Sequence, residues 1–275
     1  MNNTMEMEKF KNSLLLIYFN YPHLVYLTDF INKLYAKHFK KIIFFSNCFN
    51  KNEERSEGEI TYVCTYCGTV AEAIFPIFFD KYSHLFEDID GLMFTMDDCI
   101  LNTKILNKYY SADKIIFDYD KNQNPIHLFK PIQEHSGWQW DRQNQGKDAI
   151  LKLLQDPEYI NNYDIQLFSG GYSDRFYLPK KYLNERTFNL FKLFSKYNVF
   201  IELAIPSIIH YIEQNKDEYQ QIHFEDILWN TNRDIQYTNK ELLFEVIKTK
   251  EPLFIHPIRT HMYPFTKDWL LEILT

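Results

Sequence analysis

Short apolar runs bounded by polar turns alternate with longer stretches of helical spacing through the first part of the chain. Residues 13–20 read as a strand and 22–38 as a helix that opens on Pro22, where a missing N–H costs nothing in the first turn. Residues 41–47 read as a second strand, and the polar stretch from Asn50 to Gly58 as an exposed loop. A third strand at 59–66, a helix over 69–84 interrupted near Pro76, and a strand at 89–96 follow. Strand, helix and strand repeated with short connections predict an α/β fold, a mostly parallel sheet with helices on both faces.

Beyond residue 98 the pattern loosens. A helix at about 102–110 and a strand at 114–118 lead into an irregular stretch, 119–145, that contains Pro125, Pro131, Gly137, Trp138 and Trp140. A structureless loop of that length is usually functional or disordered, and paired tryptophans argue against disorder. A helix at 146–155, strands near 165–168 and 175–178, and helices at 181–197 and about 203–215 come next. A tail of helix 239–249, strand 252–255 and helix 266–274 completes a pattern without internal repeats. The expected organisation is one domain, with a strand–helix–strand half at about 12–118 and a mixed α+β half and tail at 119–275.

Composition narrows the function classes. The 275 residues include 24 Phe and 20 Tyr but only 7 Gly, enough large side chains for a sizeable core. A net charge of −7 with no basic stripe argues against a nucleic-acid partner. The early apolar run 14–19 is too short for a membrane span or signal-peptide core, so the expectation is a soluble, cytoplasmic protein. Cys48, Cys64, Cys67 and Cys99 are too few for a disulfide scaffold. Cys64 and Cys67 form an isolated CxxC, for which buried free thiols are a better account than a redox pair or half a zinc site.

The strand at 89–96 ends on adjacent carboxylates, Asp97 and Asp98. In an open α/β sheet ligands bind outside the carboxyl ends of strands, and paired carboxylates there can hold a divalent cation against phosphates. They can equally form a turn or cap a helix. The segment Asp90-Gly91-Leu92-Met93-Phe94-Thr95-Met96-Asp97-Asp98 resembles the strand and acidic metal motif of GT-A glycosyltransferases. With Trp138-Gln139-Trp140, Gly170-Gly171-Tyr172-Ser173-Asp174-Arg175-Phe176-Tyr177-Leu178-Pro179 and Phe200-Ile201-Glu202-Leu203-Ala204-Ile205-Pro206, the chain is similar from about residue 12 onward to short glycosyltransferase-like proteins of eukaryotes and large DNA viruses. The resemblance implies a GT-A-like, Rossmann-type sheet, with about 12–118 as the nucleotide-sugar-binding half and about 119–275 as the acceptor half and C-terminal tail. It also implies a nucleoside-diphosphate sugar donor, with a UDP-sugar first, a carbohydrate or glycan acceptor, and Mn²⁺ or Mg²⁺ held by Asp97 and Asp98. A cytoplasmic enzyme without an anchor would suit a virus or protist building glycans outside the secretory route.

Other roles follow from the resemblance or from local chemistry. The resemblance makes His256, or as second choice His261, an imidazole ligand, with Arg259 neutralising the diphosphate; the alternative is a histidine ending a strand and a solvated arginine. Asp174, beside two glycines that permit close approach of a ligand, can accept sugar hydroxyls, and Tyr172 lies with it; a turn aspartate is the alternative. Glu202 is a charge in an apolar setting, suited to a general base if the enzyme inverts and to transition-state support if it retains, or else to a buried ion pair. Trp138 and Trp140 can pack a pyranose, with Asp141 and Arg142 near hydroxyls or phosphate. Asn20 and Tyr21, after the first strand, are placed at the nucleotide base.

Two further classes compete. A sugar nucleotidyltransferase normally has a Gly-rich basic loop after its first strand, and Phe19-Asn20-Tyr21-Pro22-His23 has no glycine. A glycosyltransferase-like module that binds glycan or a partner without turnover would keep the fold but not a cation-dependent donor site.

Overall fold

The computed structural model describes residues 8–48, 55–65, 69–119, 124–125, 143–165, 168–222, 239–258 and 264–275. Strand β1 (Leu14–Phe19) leads through a 3-10 turn (Pro22–Leu27) into α1 (Thr28–Tyr35) and β2 (Lys41–Asn47). A hairpin of β3 (Arg55–Glu57) and β4 (Ile60–Val63) precedes a 3-10 turn (Ala71–Ala73) and α2 (Ile74–Tyr82). Then come β5 (Gly91–Met96), β6 (Ile100–Leu101), α3 (Thr103–Tyr109), β7 (Ile115–Ile116) and β8 (Asn124–Pro125). Helices α4 (Gln143–Leu153) and α5 (Pro157–Asn162), strands β9 (Ser169–Gly170) and β10 (Arg175–Pro179), and helices α6 (Glu185–Lys196) and α7 (Ile201–Ile212) follow. The last elements are β11 (Tyr219–Gln220), α8 (Lys240–Lys250), β12 (Phe254–Ile255) and α9 (Thr266–Leu274).

Eight strands form the central sheet in the order β11-β7-β10-β5-β1-β2-β4-β3. β5, β1, β2 and β4 are parallel, β10 runs against both its neighbours, and β3 is an antiparallel edge. The architecture is thus α/β with a mostly parallel sheet flanked by helices.

The alternation along β1 explains the layers. Leu14, Leu16 and Tyr18 enter one core with α2, α4, α6 and α7, while Leu15, Ile17 and Phe19 enter the other with α1, α3, α8 and α9. A strand buried on both faces has to be almost wholly apolar: β1 is, and β5 is but for Thr95, whose hydroxyl donates to the Cys99 carbonyl at 2.8 Å. Aromatic packing fills the first core: the Phe75 ring lies 4.4 Å from that of Phe191 and 5.3 Å from that of Phe94, centroid to centroid.

Several expected elements shift. The helix expected over 22–38 is a 3-10 turn followed by α1, which ends at Tyr35. Pro76 does not interrupt α2, because it is the third helical residue, where an N–H has no intrahelical partner to lose. Part of the loop expected at 50–58 is the edge strand β3. A strand forms at Ser169–Gly170, just after the expected 165–168, of which 166 and 167 lie outside the described residues. Helix α5 was not expected, although Asp156 caps the N–H groups of Glu158 and Tyr159 and Pro157 opens the first turn. Among the described residues no helix is long and apolar enough to cross a membrane.

Gly91 opens β5 where the chains approach most closely: a β-carbon there would collide with the Tyr177 hydroxyl and the Leu178 carbonyl of β10. The latter is backbone and cannot rotate away. Gly91→Ala is therefore expected to cost about 3 kcal/mol or more in urea denaturation. Wild-type stability of that variant would contradict the close packing of β10 on β5.

Candidate functional site

From β1 the chain builds the sheet outward through β2 and β4, then crosses back to place β5 on the opposite side of β1. The carboxyl ends of β1 and β5 therefore bound the crevice where strand order reverses, the usual ligand site of open α/β sheets. Asn20 follows β1 and Asp97 follows β5. The Asn20 N–H donates to Asp97 Oδ1 at 3.1 Å, and the Asp97 N–H donates to the Tyr18 carbonyl at 3.0 Å. Asn47, the last residue of β2, extends the stitching: its Nδ2 donates to the Asn20 carbonyl and its Oδ1 accepts from the Thr65 N–H. Asp97 is buried, and the Asp98 side chain keeps 34% of its surface.

Strand direction brings in the third carboxylate. Because β10 is antiparallel to β5, its first residue, Arg175, stands opposite Thr95 at the carboxyl end. The Met96 N–H donates to the Asp174 carbonyl at 2.9 Å, so Asp174 sits beside the acidic pair. The C-terminal part arrives through β12, which pairs antiparallel with β6, and the Ile258 N–H donates to the Asp98 carbonyl at 2.7 Å. This clamp places His256, buried, with Nε2 3.5 Å from Asp174 Oδ2 and 3.8 Å from Asp98 Oδ1. Those separations allow ion pairing but are too long for direct hydrogen bonds.

Behind the ring, Arg175 NH1 lies 3.5 Å from His256 Nδ1. The guanidinium is buried, 5.9 Å from the centre of the Tyr172 ring and 5.5 Å from that of Phe254. Arg175 was missed in the sequence, where its signal was a lone charge opening an apolar strand.

The cluster is electrostatically unbalanced. Burial, then the neighbouring Asp98 charge, raises the Asp97 carboxyl above the ordinary carboxylate range. Asp98 is also raised by burial, opposed by His256 and reinforced by Asp174. Hard carboxylate oxygens short of positive charge suit Mg²⁺ or Mn²⁺. Among the described residues no group of three or more His, Cys, Asp and Glu side chains is arranged to hold a metal ion. A cation shared between one or two carboxylates, phosphates and water needs no such cage.

The other expected residues divide. Glu202 is the second residue of α7, buried, with its carbonyl accepting from the Gly171 N–H at 2.9 Å, so it adjoins the Gly170-Gly171 segment. An acid in a first helical turn is also favoured by the helix dipole. Tyr21 is exposed and stacks on His23. Trp138, Trp140, Asp141, Arg142, Arg259 and His261 lie outside the described residues, as does Cys67. Cys99, next to Asp98, is a buried thiol pushed up to about 12 by burial, which makes it a poor nucleophile.

A carboxyl raised in the folded state holds a proton that the unfolded chain releases. Stability should therefore fall as pH rises from the ordinary aspartate range toward the raised value of Asp97. Asp97→Asn removes that loss: in EDTA at pH 8 it should be more stable than wild type by roughly 1 kcal/mol or more, with the gap closing near pH 4. Parallel urea stabilities of the two proteins across that range would contradict the buried, repelled carboxyl.

No model of a known protein family matches the chain, and no curated protein matches it.

Proposed function

We propose that this chain is a divalent-metal-dependent glycosyltransferase of GT-A-like architecture. It would move a sugar from a nucleoside-diphosphate sugar, a UDP-sugar first among the candidates, to a carbohydrate or glycan acceptor. The observation that carries the reading is the convergence of Asp97, Asp98, Asp174 and His256, from three separate parts of the chain, on the crevice where strand order reverses.

When bound, Mn²⁺ or Mg²⁺ supplies Lewis-acid stabilisation of the departing diphosphate. Asp97 and Asp98 would hold it through carboxylate oxygens, with Asn20 keeping Asp97 in register by its N–H bond. His256, facing Asp98 and Asp174, is the nearest imidazole to offer a further donor. Asp174 accepts hydroxyls of the sugar, and the glycines before it leave room for a pyranose to approach the backbone. Glu202, buried where α7 meets Gly171, is the carboxylate suited to take the acceptor proton in an inverting reaction. Trp138 and Trp140 are assigned to the sugar platform on sequence grounds alone.

A thermal-shift and calorimetric screen of UDP, GDP, CMP and their sugars, with and without Mn²⁺, tests the donor site. One nucleotide family at about 100 times its Kd should raise stability by about 2.7 kcal/mol, and only with the cation. In transfer assays with the donor so identified, Asp97→Ala/Asp98→Ala should lose on the order of 10²- to 10³-fold in kcat. Full activity of the double variant, or a cation-independent response, would sink the proposal.

A further inference from the structure

A nucleoside diphosphate is a polyanion, and the described floor of the crevice is acidic, with Asp97, Asp98 and Asp174 side by side. Arg175 lies beneath that floor, covered by Tyr172 and Phe254, so its charge is spent within the protein. A cation that meets phosphate directly has to stand at the rim.

The rim on the β1 side is the 3-10 turn Pro22–Leu27, which starts two residues after Asn20 and its bond to Asp97. Tyr26 in this turn is 49% exposed, a large ring left open beside a buried acidic site. Lys267, the second residue of α9, holds its ammonium 5.1 Å from the centre of that ring, within cation–π range. α9 packs on α1, which continues directly from the turn. Tyr26 thus stands six residues beyond Asn20, and Lys267 stands against Tyr26. Burial first, and then the negative charge of Asp97, hold the Tyr26 phenol above its ordinary pKa, which puts ring and carboxylate in one electrostatic neighbourhood.

We propose that Lys267 is the phosphate-binding cation of the donor site and that Tyr26 is the positioning residue that keeps its ammonium at the rim. The inference rests on the donor site proposed above and gives it a second source of positive charge, independent of any metal. An ammonium resting on a ring face is held by the ring's quadrupole rather than by a counter-charge, so N–H donors remain for other oxygens. It can therefore turn toward phosphate oxygens without breaking an ion pair.

Calorimetry with Mn²⁺ and three probes, UDP, GDP and inorganic pyrophosphate, at several salt concentrations tests the assignment. For whichever probe the wild type binds, Lys267→Met should weaken affinity by about tenfold or more and flatten its salt dependence, with unchanged thermal stability. Lys267→Arg should stay within about threefold of wild type, and Tyr26→Phe should match wild type while Tyr26→Leu weakens binding. A Lys267→Met protein with wild-type affinity and salt dependence overturns the cation assignment and leaves the donor site standing. Tyr26→Phe as weak as Tyr26→Leu overturns the positioning role. A wild type that binds none of the three probes overturns the donor site and this inference together.

Discussion

The antiparallel pairing of β10 with β5 is the constraint on which the rest of the molecule turns. Five register pairs, from Arg175 opposite Thr95 to Pro179 opposite Gly91, join the two strands. Phe176 and Leu178 then fall into the core with Phe75, while Tyr177 falls into the other and bonds Ser13 and the Ala112 carbonyl. A parallel strand in that place would have delivered its last residues to the carboxyl end of β5. The reversed strand delivers its first, and that is why Asp174 and Arg175 meet the acidic pair. Gly91 is part of the same constraint, because no side chain fits where Tyr177 and Leu178 cross it.

What that pairing assembles is costly to keep. Asp97 is buried beside a second carboxylate and near a third, and the described positive groups around them are a buried arginine and an imidazole beyond hydrogen-bond reach. The backbone compensates with fixed dipoles, chiefly the Asn20 N–H on Asp97 Oδ1. Such an arrangement lowers the stability of the free protein, and sites that bind cations commonly carry that cost. Glu72 differs in kind: it is fully buried in the core, away from the acidic cluster's partners, and burial raises its pKa well above the ordinary carboxylate value.

The sheet was legible where burial on both faces forces a continuous apolar run. β2 and α9 match their expected bounds, and β1 and β5 fall within theirs. Two-residue strands such as β6, β9 and β11 have no period to read, and pairing between distant segments alone defines them. The stretch 22–38 shows why helix type is harder to see: spacings of three and four residues suit a 3-10 turn nearly as well as an α-helix, and the change comes at Thr28. At the site, Asp97 and Asp98 stood out because they end a strand. Their neighbourhood with Asp174 and His256 depends on strand direction and on the β12–β6 pairing, neither of which any local pattern encodes. Arg175 escaped notice for the same reason, since its partners lie far away along the chain.

On the proposed reading, the acidic pair also sets an order of events. Burial and repulsion raise the Asp97 carboxyl above the ordinary range, and an oxygen that carries a proton ligates a cation only once that proton leaves. Cation uptake is therefore linked to proton release, and affinity should climb with pH through the range in which Asp97 titrates. The diphosphate of a donor faces the opposite problem, because it enters a site whose fixed charges repel it until a cation has neutralised them. Both difficulties are met when cation and diphosphate arrive as one complex: the phosphates supply further ligands, and the cation cancels the repulsion each partner would meet alone. On that reading, joint arrival at the strand-end carboxylates makes cation and nucleotide affinity a single coupled quantity rather than two separate ones.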